Sequence, residues 1–248
     1  MLPEIFTFKN GLKIILIDTK AFPTMTVILL FGAGSRYENK QNNGIAHFLE
    51  HMVFKGSKKY PDFFTISSVL EGLGATHNAF TGKDHTGFWV KSPTEHFEKV
   101  IDVVGDIIQH PLLADAEIER EKGVIVQEMN MYEDQPMRKV GQYFEQLLYQ
   151  EDPLGMDIIG TKETVTKFQR TNFIDYMQQF YRPNNAVLVL AGGLGFSDNK
   201  ASAMQSYSSV NNNEAMKQWS NYYLDIIKEK FTKWSGLRQG YGGRGGLI

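Results

Sequence analysis

The chain has 248 residues, of which 42% are hydrophobic and 22% are charged, and its formal net charge at pH 7 is −2. This composition is typical of a globular chain with a sizeable core, and the near-neutral charge lacks the basic excess of nucleic-acid-binding proteins. No segment approaches the roughly 18 consecutive apolar residues that a membrane-spanning helix needs. We therefore expect neither a nucleic-acid partner nor a membrane partner.

The start of the chain and its cysteine content bear on location. Residues 1–6 enter a strand pattern at once, without the basic start and apolar run of a signal peptide or the Arg-rich pattern of a transit peptide. Cysteine is absent, which fits a reducing compartment, although many exported bacterial proteins also lack disulfides. The sequence as given predicts a cytoplasmic protein.

Strand patterns come first along the chain, and a helix follows them. Residues 12–17 and 24–30 are rich in aliphatic and β-branched side chains, which predicts two strands. After a loop at 32–43, an apolar stripe predicts a helix, with Asn43 as its N-cap and Gly56 as its C-terminal stop. The stripe consists of Ile45, Phe48, Leu49, Met52 and Val53.

This helix contains the motif H-x-x-E-H, formed by His47, Glu50 and His51. At 3.6 residues per turn the two histidines lie one turn apart on one face, so both imidazoles can bind one metal ion. Glu50 lies beside them, where a carboxylate can take a proton from a metal-bound water. A catalytic zinc site needs a third protein ligand, and the lack of cysteine leaves His, Asp or Glu for it. So short a motif also recurs by chance.

The middle of the chain predicts two more strands and a core helix. The strands cover about residues 75–81 and 86–91, and the helix at 94–109 lies between Pro93 and Pro111. Its apolar side chains recur at helical spacing, which indicates burial rather than a binding surface. They are Phe97, Val100, Ile101, Val104, Ile107 and Ile108.

A second acidic helix is predicted from Asp115, its N-cap, to Tyr132. Glu121 and Glu128 lie two turns apart on one face of it, so Glu128 is the candidate third ligand and Glu121 its neighbour. The apolar positions that this helix can bury are Ile118, Val124, Ile125, Met129 and Tyr132.

The last hundred residues predict helices, a strand and two polar segments. Helical patterns around 139–150 and 172–181 precede a buried strand at 186–191. A run rich in Ser and Asn at 195–213 predicts a surface loop or a disordered insertion, and an amphipathic helical pattern returns at 214–234. Strands and helices mix without regular alternation, which predicts an α+β fold.

The H-x-x-E-H motif, followed after 76 intervening residues by Glu128, resembles the inverzincins of the pitrilysin family, which includes insulysin and the mitochondrial processing peptidases. The resemblance covers residues 4–194 and continues to about 236, as the first domain of such a peptidase. Six further segments look like family landmarks in family order: Asn10 to Lys13, Gly32 to Glu38, Phe54 to Ser57, Asn78 to Thr81, Asp84 to Thr86 and Tyr181 to Asn184.

For the fold, the resemblance implies a metallopeptidase domain of the pitrilysin or processing-peptidase type, with a mixed, mostly antiparallel sheet and helices packed on one side. Residues 1–194 would form the core of the zinc peptidase domain, and residues 214–236 its closing helix. Between them lies the polar segment at 195–213. Residues 237–248 form a Gly-rich tail or linker.

For the site, the resemblance implies that His47, His51 and Glu128 bind one zinc ion and that Glu50 activates the water. Glu121 matches an acidic residue that supports catalysis in the family. A purely structural role is the alternative for both Glu50 and Glu121. Glu50 would then be a solvated helix carboxylate, and Glu121 an acidic residue favoured near a helix start by the macrodipole.

Substrate binding is predicted at residues 73–81, which follow a short helical pattern and look like an edge strand. In the family the matching strand pairs with the substrate backbone, which makes Asn78 and Ala79 the binding candidates. Alternatively, Asn78 fills a turn or bonds to its own backbone. The spacing of His77 and His85 does not make them ligands, and we expect both to be structural.

The leading hypothesis is a zinc-dependent metalloendopeptidase that hydrolyses peptide bonds in peptides or unfolded protein segments. Typical relatives continue into a second, similar domain, and in them Arg and Tyr from a unit without zinc hold the substrate. We therefore expect a second homologous non-zinc subunit, or another copy of this chain, to complete the cleft. The alternatives are an inactive zinc-binding subunit that holds peptides or serves assembly, and a fragment of a longer peptidase.

Overall fold

The computed structural model describes residues 2–196 and 212–235. Most of the predicted polar segment and the whole Gly-rich tail lie outside the described residues. The structure has a helix at Asn212–Phe231, in the region where a closing helix was predicted at 214–236. Within the described ranges, no helix is both long and apolar enough to cross a membrane.

Six strands form one sheet in the order β1-β2-β6-β3-β5-β4. The pair β2 and β6 is parallel and the other four pairs are antiparallel, which confirms the predicted mixed, mostly antiparallel sheet. The predicted edge strand, β4, lies at one end of this order. The strands are β1 (Glu4–Thr7), β2 (Lys13–Asp18), β3 (Thr24–Phe31), β4 (Thr76–Thr81), β5 (Thr86–Pro93) and β6 (Ala186–Gly192).

The helices cover one face of the sheet. Along β3 fully buried residues alternate with half-buried ones, because successive side chains of a strand point to opposite faces and the helices cover only one of them. The α-helices are α1 (Ile45–Val53), α2 (Phe63–Gly72), α3 (Phe97–Gln109), α4 (Asp115–Glu133), α5 (Pro136–Tyr149), α6 (Lys162–Val165), α7 (Arg170–Phe180) and α8 (Asn212–Phe231).

Helix α3 lies in the core, as its apolar stripe predicted. Every residue of that stripe is buried, and the Phe97 ring meets the Tyr223 ring of α8 edge to face at 4.7 Å. The helix begins three residues later than predicted, because Thr94–His96 forms a 3-10 turn. The contact with α8 attaches the C-terminal helix to the domain.

The predicted N-caps of α1 and α4 were both wrong. Gly44, with φ of 95°, precedes α1, while the buried Asn43 side chain donates to Glu38 and to the Asp157 carbonyl. A Cβ on Gly44 would lie 2.7 Å from the Ile159 carbonyl oxygen, which leaves no room for a capping side chain. In α4, Asp115 is the first helical residue and contributes charge rather than a cap.

Candidate metal centre

Helix α1 is anchored by its apolar face, and this face orients the two histidines. Phe48, Leu49 and Met52 are fully buried, and the Phe48 ring packs edge to face on Phe173 at 4.9 Å. His47 and Glu50 lie on the half-buried side of the same helix. The local sequence therefore holds the motif on a packed element.

A carboxylate from outside the helix caps α1. Glu38 is buried and accepts hydrogen bonds from the backbone N–H groups of Gly44 and Ala46, both at 2.8 Å, and from Asn43 Nδ2 at 3.0 Å. Burial raises the pKa of the Glu38 carboxyl to about 7, against the opposing effect of these hydrogen bonds. Glu38 satisfies N–H groups that have no partner inside the helix and lies at the positive end of its dipole.

The structure brings His47, His51 and Glu128 together. Glu128 Oε2 lies 3.7 Å from the Nε2 atom of each histidine, and one donor atom from each residue lies within 4.8 Å of the others. These separations exceed hydrogen-bond length, whereas two ligands on one tetrahedral zinc ion lie about 3.4 Å apart. Two imidazoles and a carboxylate are a ligand set of catalytic zinc sites, so the residues fit the metal that the motif implies.

The protonation state of His47 also suits a ligand. Burial, followed by the proximity of His51, lowers the pKa of His47 to about 4, so its imidazole is neutral at pH 7. Its buried Nδ1 has no hydrogen-bond partner among the described residues. A neutral imidazole is the form that binds a metal ion.

Glu121 contacts His51 and does not belong to the group of three. Its buried carboxylate lies 2.9 Å from His51 Nδ1 and accepts from Lys55 Nζ at 2.7 Å. Burial opposes ionisation of Glu121, but the hydrogen bonds from His51 and Lys55 outweigh it and lower its pKa. A proton kept on Nδ1 leaves His51 Nε2 free to face Glu128.

Glu50 lies beside the group of three and is held by a strand. The Thr81 hydroxyl at the end of β4 donates a hydrogen bond to Glu50 Oε2. Burial raises the pKa of Glu50 above its ordinary value, although the Thr81 hydrogen bond acts in the opposite direction. A raised carboxyl pKa brings a group closer to the range in which it can both accept and return a proton.

Three contact residues of the site were not predicted: Lys55, Thr81 and Tyr132. Tyr132 follows Glu128 by four residues on α4, so helical spacing could have indicated it. Lys55 lies beyond the end of α1 and contacts Glu121, 66 residues away, so no such spacing applies to it. The Tyr132 hydroxyl donates to Glu128 Oε1. No sequence spacing could have indicated Thr81, because its contact with Glu50 joins a strand to a helix 31 residues away.

A cavity of about 320 Å³ joins the site to the edge strand. Asn78 and Ala79 line it. The Asn78 side-chain oxygen accepts from the Ala79 N–H at 2.9 Å, so Asn78 bonds to the backbone of the next residue. His77 also lines the cavity and packs on Phe54, and His85 packs on Phe80. The complete lining is Glu50, His51, Phe54, Lys55, Phe63, His77, Asn78, Ala79 and Glu121.

Comparison with known protein families identifies the domain. The model of the insulinase family, peptidase family M16, matches residues 13–162, which include the motif, Glu121 and Glu128. The chain belongs to this family. Membership of family M16 agrees with the resemblance inferred from the motif and its landmarks.

The curated M16 relatives are longer than this chain. The beta subunit of the rat mitochondrial-processing peptidase is 38% identical over 191 residues, which cover 77% of this chain and 39% of that protein. The Bacillus subtilis protein named uncharacterized zinc protease YmxG is 34% identical, with 77% and 47% covered. Rat cytochrome b-c1 complex subunit 1 is 33% identical, with 84% and 43% covered. The matched part of the chain thus covers less than half the length of these relatives.

Solved structures share the fold. A Helicobacter pylori protease superposes with a TM-score of 0.81 at 21% identity, over 98% of this chain and 53% of that one. A putative M16-like peptidase from Alicyclobacillus acidocaldarius superposes with a TM-score of 0.77 at 25% identity, over 96% and 51%. The likeness to the first of these concerns the fold alone.

Proposed function

We propose that this M16 domain is a zinc metalloendopeptidase that hydrolyses peptide bonds in peptides or unfolded protein segments. The observation that carries the proposal is the position of Glu128 Oε2, 3.7 Å from both His47 Nε2 and His51 Nε2, beside a half-buried Glu50. The base Glu50 and one of the proposed ligands, His51, line a cavity that the edge strand also lines. A protein named zinc protease among the relatives supports the choice of metal.

His47, His51 and Glu128 would hold the ion through Nε2, Nε2 and Oε2. Zinc bound by such a set supplies a Lewis acid that polarises a carbonyl and makes water easier to deprotonate. Glu50 accepts the proton of the attacking water and returns it to the leaving amine. Glu121 is a positioning residue, because it acts through His51 Nδ1.

Strand β4 is the proposed binding element for the substrate backbone. Asn78 is exposed at the sheet edge and Ala79 borders the cavity beside Glu50. An extended peptide that adds to this edge would take over the Ala79 N–H from the Asn78 side chain. Thr81 then connects the bound strand to the base, since its hydroxyl contacts Glu50.

A second homologous subunit without zinc is the proposed partner that completes the cleft. Helix α5 supports this, because none of its residues is buried and its apolar side chains share one face. The Tyr143 and Phe144 rings alone, at roughly 150–250 Å² each and 60% and 64% exposed, present an area of about 250 Å². The face consists of Met137, Val140, Tyr143, Phe144, Leu147 and Leu148, which are 58–88% exposed.

The names of the relatives also support a partner subunit. Two of them, the processing peptidase and the cytochrome b-c1 protein, are named as subunits of larger assemblies. The cytochrome b-c1 relative also favours a second candidate function, a non-catalytic subunit that binds zinc and serves assembly or peptide holding. The presence of Glu50 beside the ligand group favours the enzyme. A cytoplasmic location stays a prediction.

The deciding experiment measures zinc content and cleavage of an unstructured, quenched fluorescent peptide library by the purified chain. Glu50→Gln should keep one zinc per chain and lower cleavage by about 10²–10⁴-fold, because it removes the base and spares the ligands. Cleavage should also stop when a chelator is added.

Glu71→Gln is the matched control, since this exposed glutamate lies on α2 outside the cavity lining and should cleave as the wild type does. Full cleavage by Glu50→Gln, or loss of its zinc, would contradict the role given to Glu50. Zinc binding without cleavage by the wild-type chain, even with a homologous partner added, would favour the assembly role.

A further inference from the structure

The two oxygens of Glu128 have different surroundings. Oε2 faces the Nε2 atoms of His47 and His51, while Oε1 accepts a hydrogen bond from the Tyr132 hydroxyl. Tyr132 follows Glu128 by one helical turn on α4, so the two side chains lie side by side on one face. One oxygen of the carboxylate is thus directed to the ligand group and the other is held by the protein.

Helix α5 holds the Tyr132 ring in place. The Arg138 guanidinium lies over this ring, 3.3 Å from its centroid, in the geometry of a cation–π contact. The next residue on each helix makes a second contact between them, because Lys139 of α5 forms an ion pair with Glu133 of α4. Tyr132 is therefore fixed on one side by its own helix and on the other by α5.

We propose that Tyr132, held by Arg138, is a positioning residue that makes Glu128 bind the metal through Oε2 alone. The inference rests on the proposed zinc site and names a residue that supports it. A carboxylate with both oxygens free can bind an ion through two atoms, which would occupy a position that a catalytic site leaves open. The hydrogen bond to Oε1 opposes that arrangement and limits the rotation of the carboxylate.

The test compares zinc affinity in Tyr132→Phe and wild type by competition with a chromophoric chelator. Loss of the hydroxyl should weaken zinc binding about 10–100-fold, the usual effect of removing a hydrogen-bond partner of a metal ligand. Tyr143→Phe is the matched control, because Tyr143 borders the same 680 Å³ cavity as Tyr132 and lies on α5. It should bind zinc as the wild type does.

A spectroscopic measurement separates positioning from folding. Cobalt-substituted wild type should give the intense visible absorption of a four-coordinate ion, and Tyr132→Phe should give a weaker spectrum as Glu128 rotates toward two-atom binding. Arg138→Lys keeps the positive charge near His47 but loses the planar guanidinium over the Tyr132 ring, so it should change affinity in the same direction by a smaller factor. The melting temperatures of the metal-free variants show whether each variant is folded.

The results discriminate between the inference and the proposed function. If Tyr132→Phe, folded as the wild type, keeps wild-type zinc affinity and cobalt spectrum, Tyr132 does not position Glu128 and the inference fails alone. If the wild-type chain binds no zinc, the inference and the zinc site fail together. A loss of affinity equal in Tyr132→Phe and Tyr143→Phe would also overturn the inference, because it would not be specific to the Glu128 contact.

Discussion

Helices α1 and α5 are both amphipathic, but the chain buries only one of them. Six of the nine residues of α1 are buried, whereas none of the fourteen residues of α5 is. The two helices also start differently, because Glu38 caps α1 and no side chain caps α5. An apolar stripe thus predicts which face of a helix will be covered, but it does not say that the same chain covers it.

The largest expected difference between the two helices is in folding stability. Phe48→Ala on α1 should lower the free energy of unfolding by about 3–5 kcal/mol, because the ring is fully buried and its removal leaves a cavity. Phe144→Ala on α5 should change it by about 0.5 kcal/mol or less, because that ring is 64% exposed. Urea unfolding of the isolated chain measures both. Equal losses would show that α5 is packed within the chain.

A second difference concerns pH, because Glu38 titrates at the start of α1. Its pKa rises from 4.5 to about 7 on folding, so the folded chain binds the proton more tightly. The stability that Glu38 contributes is therefore fully present below pH 4.5 and is lost as pH rises toward 7, by about 3 kcal/mol.

Glu38→Gln isolates this contribution, since other groups, including His47, titrate in the same range with the opposite sign. The free energy of unfolding of wild type minus that of Glu38→Gln should fall between pH 4.5 and pH 7. Urea unfolding at several pH values measures the difference. A difference that is flat or rises with pH would mean that the hydrogen bonds to the Glu38 carboxylate outweigh its burial.

A charge placed on α5 is expected to have the smallest effect on the stability of the isolated chain. Its effect on assembly is expected to be the largest. Phe144→Lys should leave the unfolding free energy nearly unchanged and should prevent binding of the homologous subunit, because the lysine would have to be buried at the interface. Light scattering and co-purification with that subunit measure the assembly. Asp175→Lys, at an exposed position on α7 outside the α5 face, serves as the charge control.

The results for α5 also distinguish possible partners. A wild-type chain that is monomeric alone and binds a homologous non-zinc subunit would agree with the proposal. A wild-type dimer that Phe144→Lys dissociates would identify a second copy as the partner instead. Assembly of Phe144→Lys equal to that of the wild type would show that the partner does not bind the α5 face.

Much of the candidate site was predictable, because local periodicity and a family pattern both applied to it. The helical spacing of His47 and His51 placed both on one face, and Glu128 was predicted from the resemblance across 76 residues. The edge position of β4 was predicted and is confirmed by the strand order. The predicted cap of α1 was wrong, because Glu38 reaches the start of this helix from a preceding turn and replaces the expected local cap.

The sequence by itself determined the α+β class, the family, the helical face that carries the motif and the types of the three candidate ligand residues. Only the tertiary structure decided that Glu128 Oε2 lies equally far from both histidines, that Thr81 reaches Glu50, and that Arg138 covers Tyr132. The reason is the separation along the chain of the residues that are involved. Periodicity expresses the geometry of one helix or strand, whereas these contacts depend on how elements far apart in the chain are arranged around the sheet.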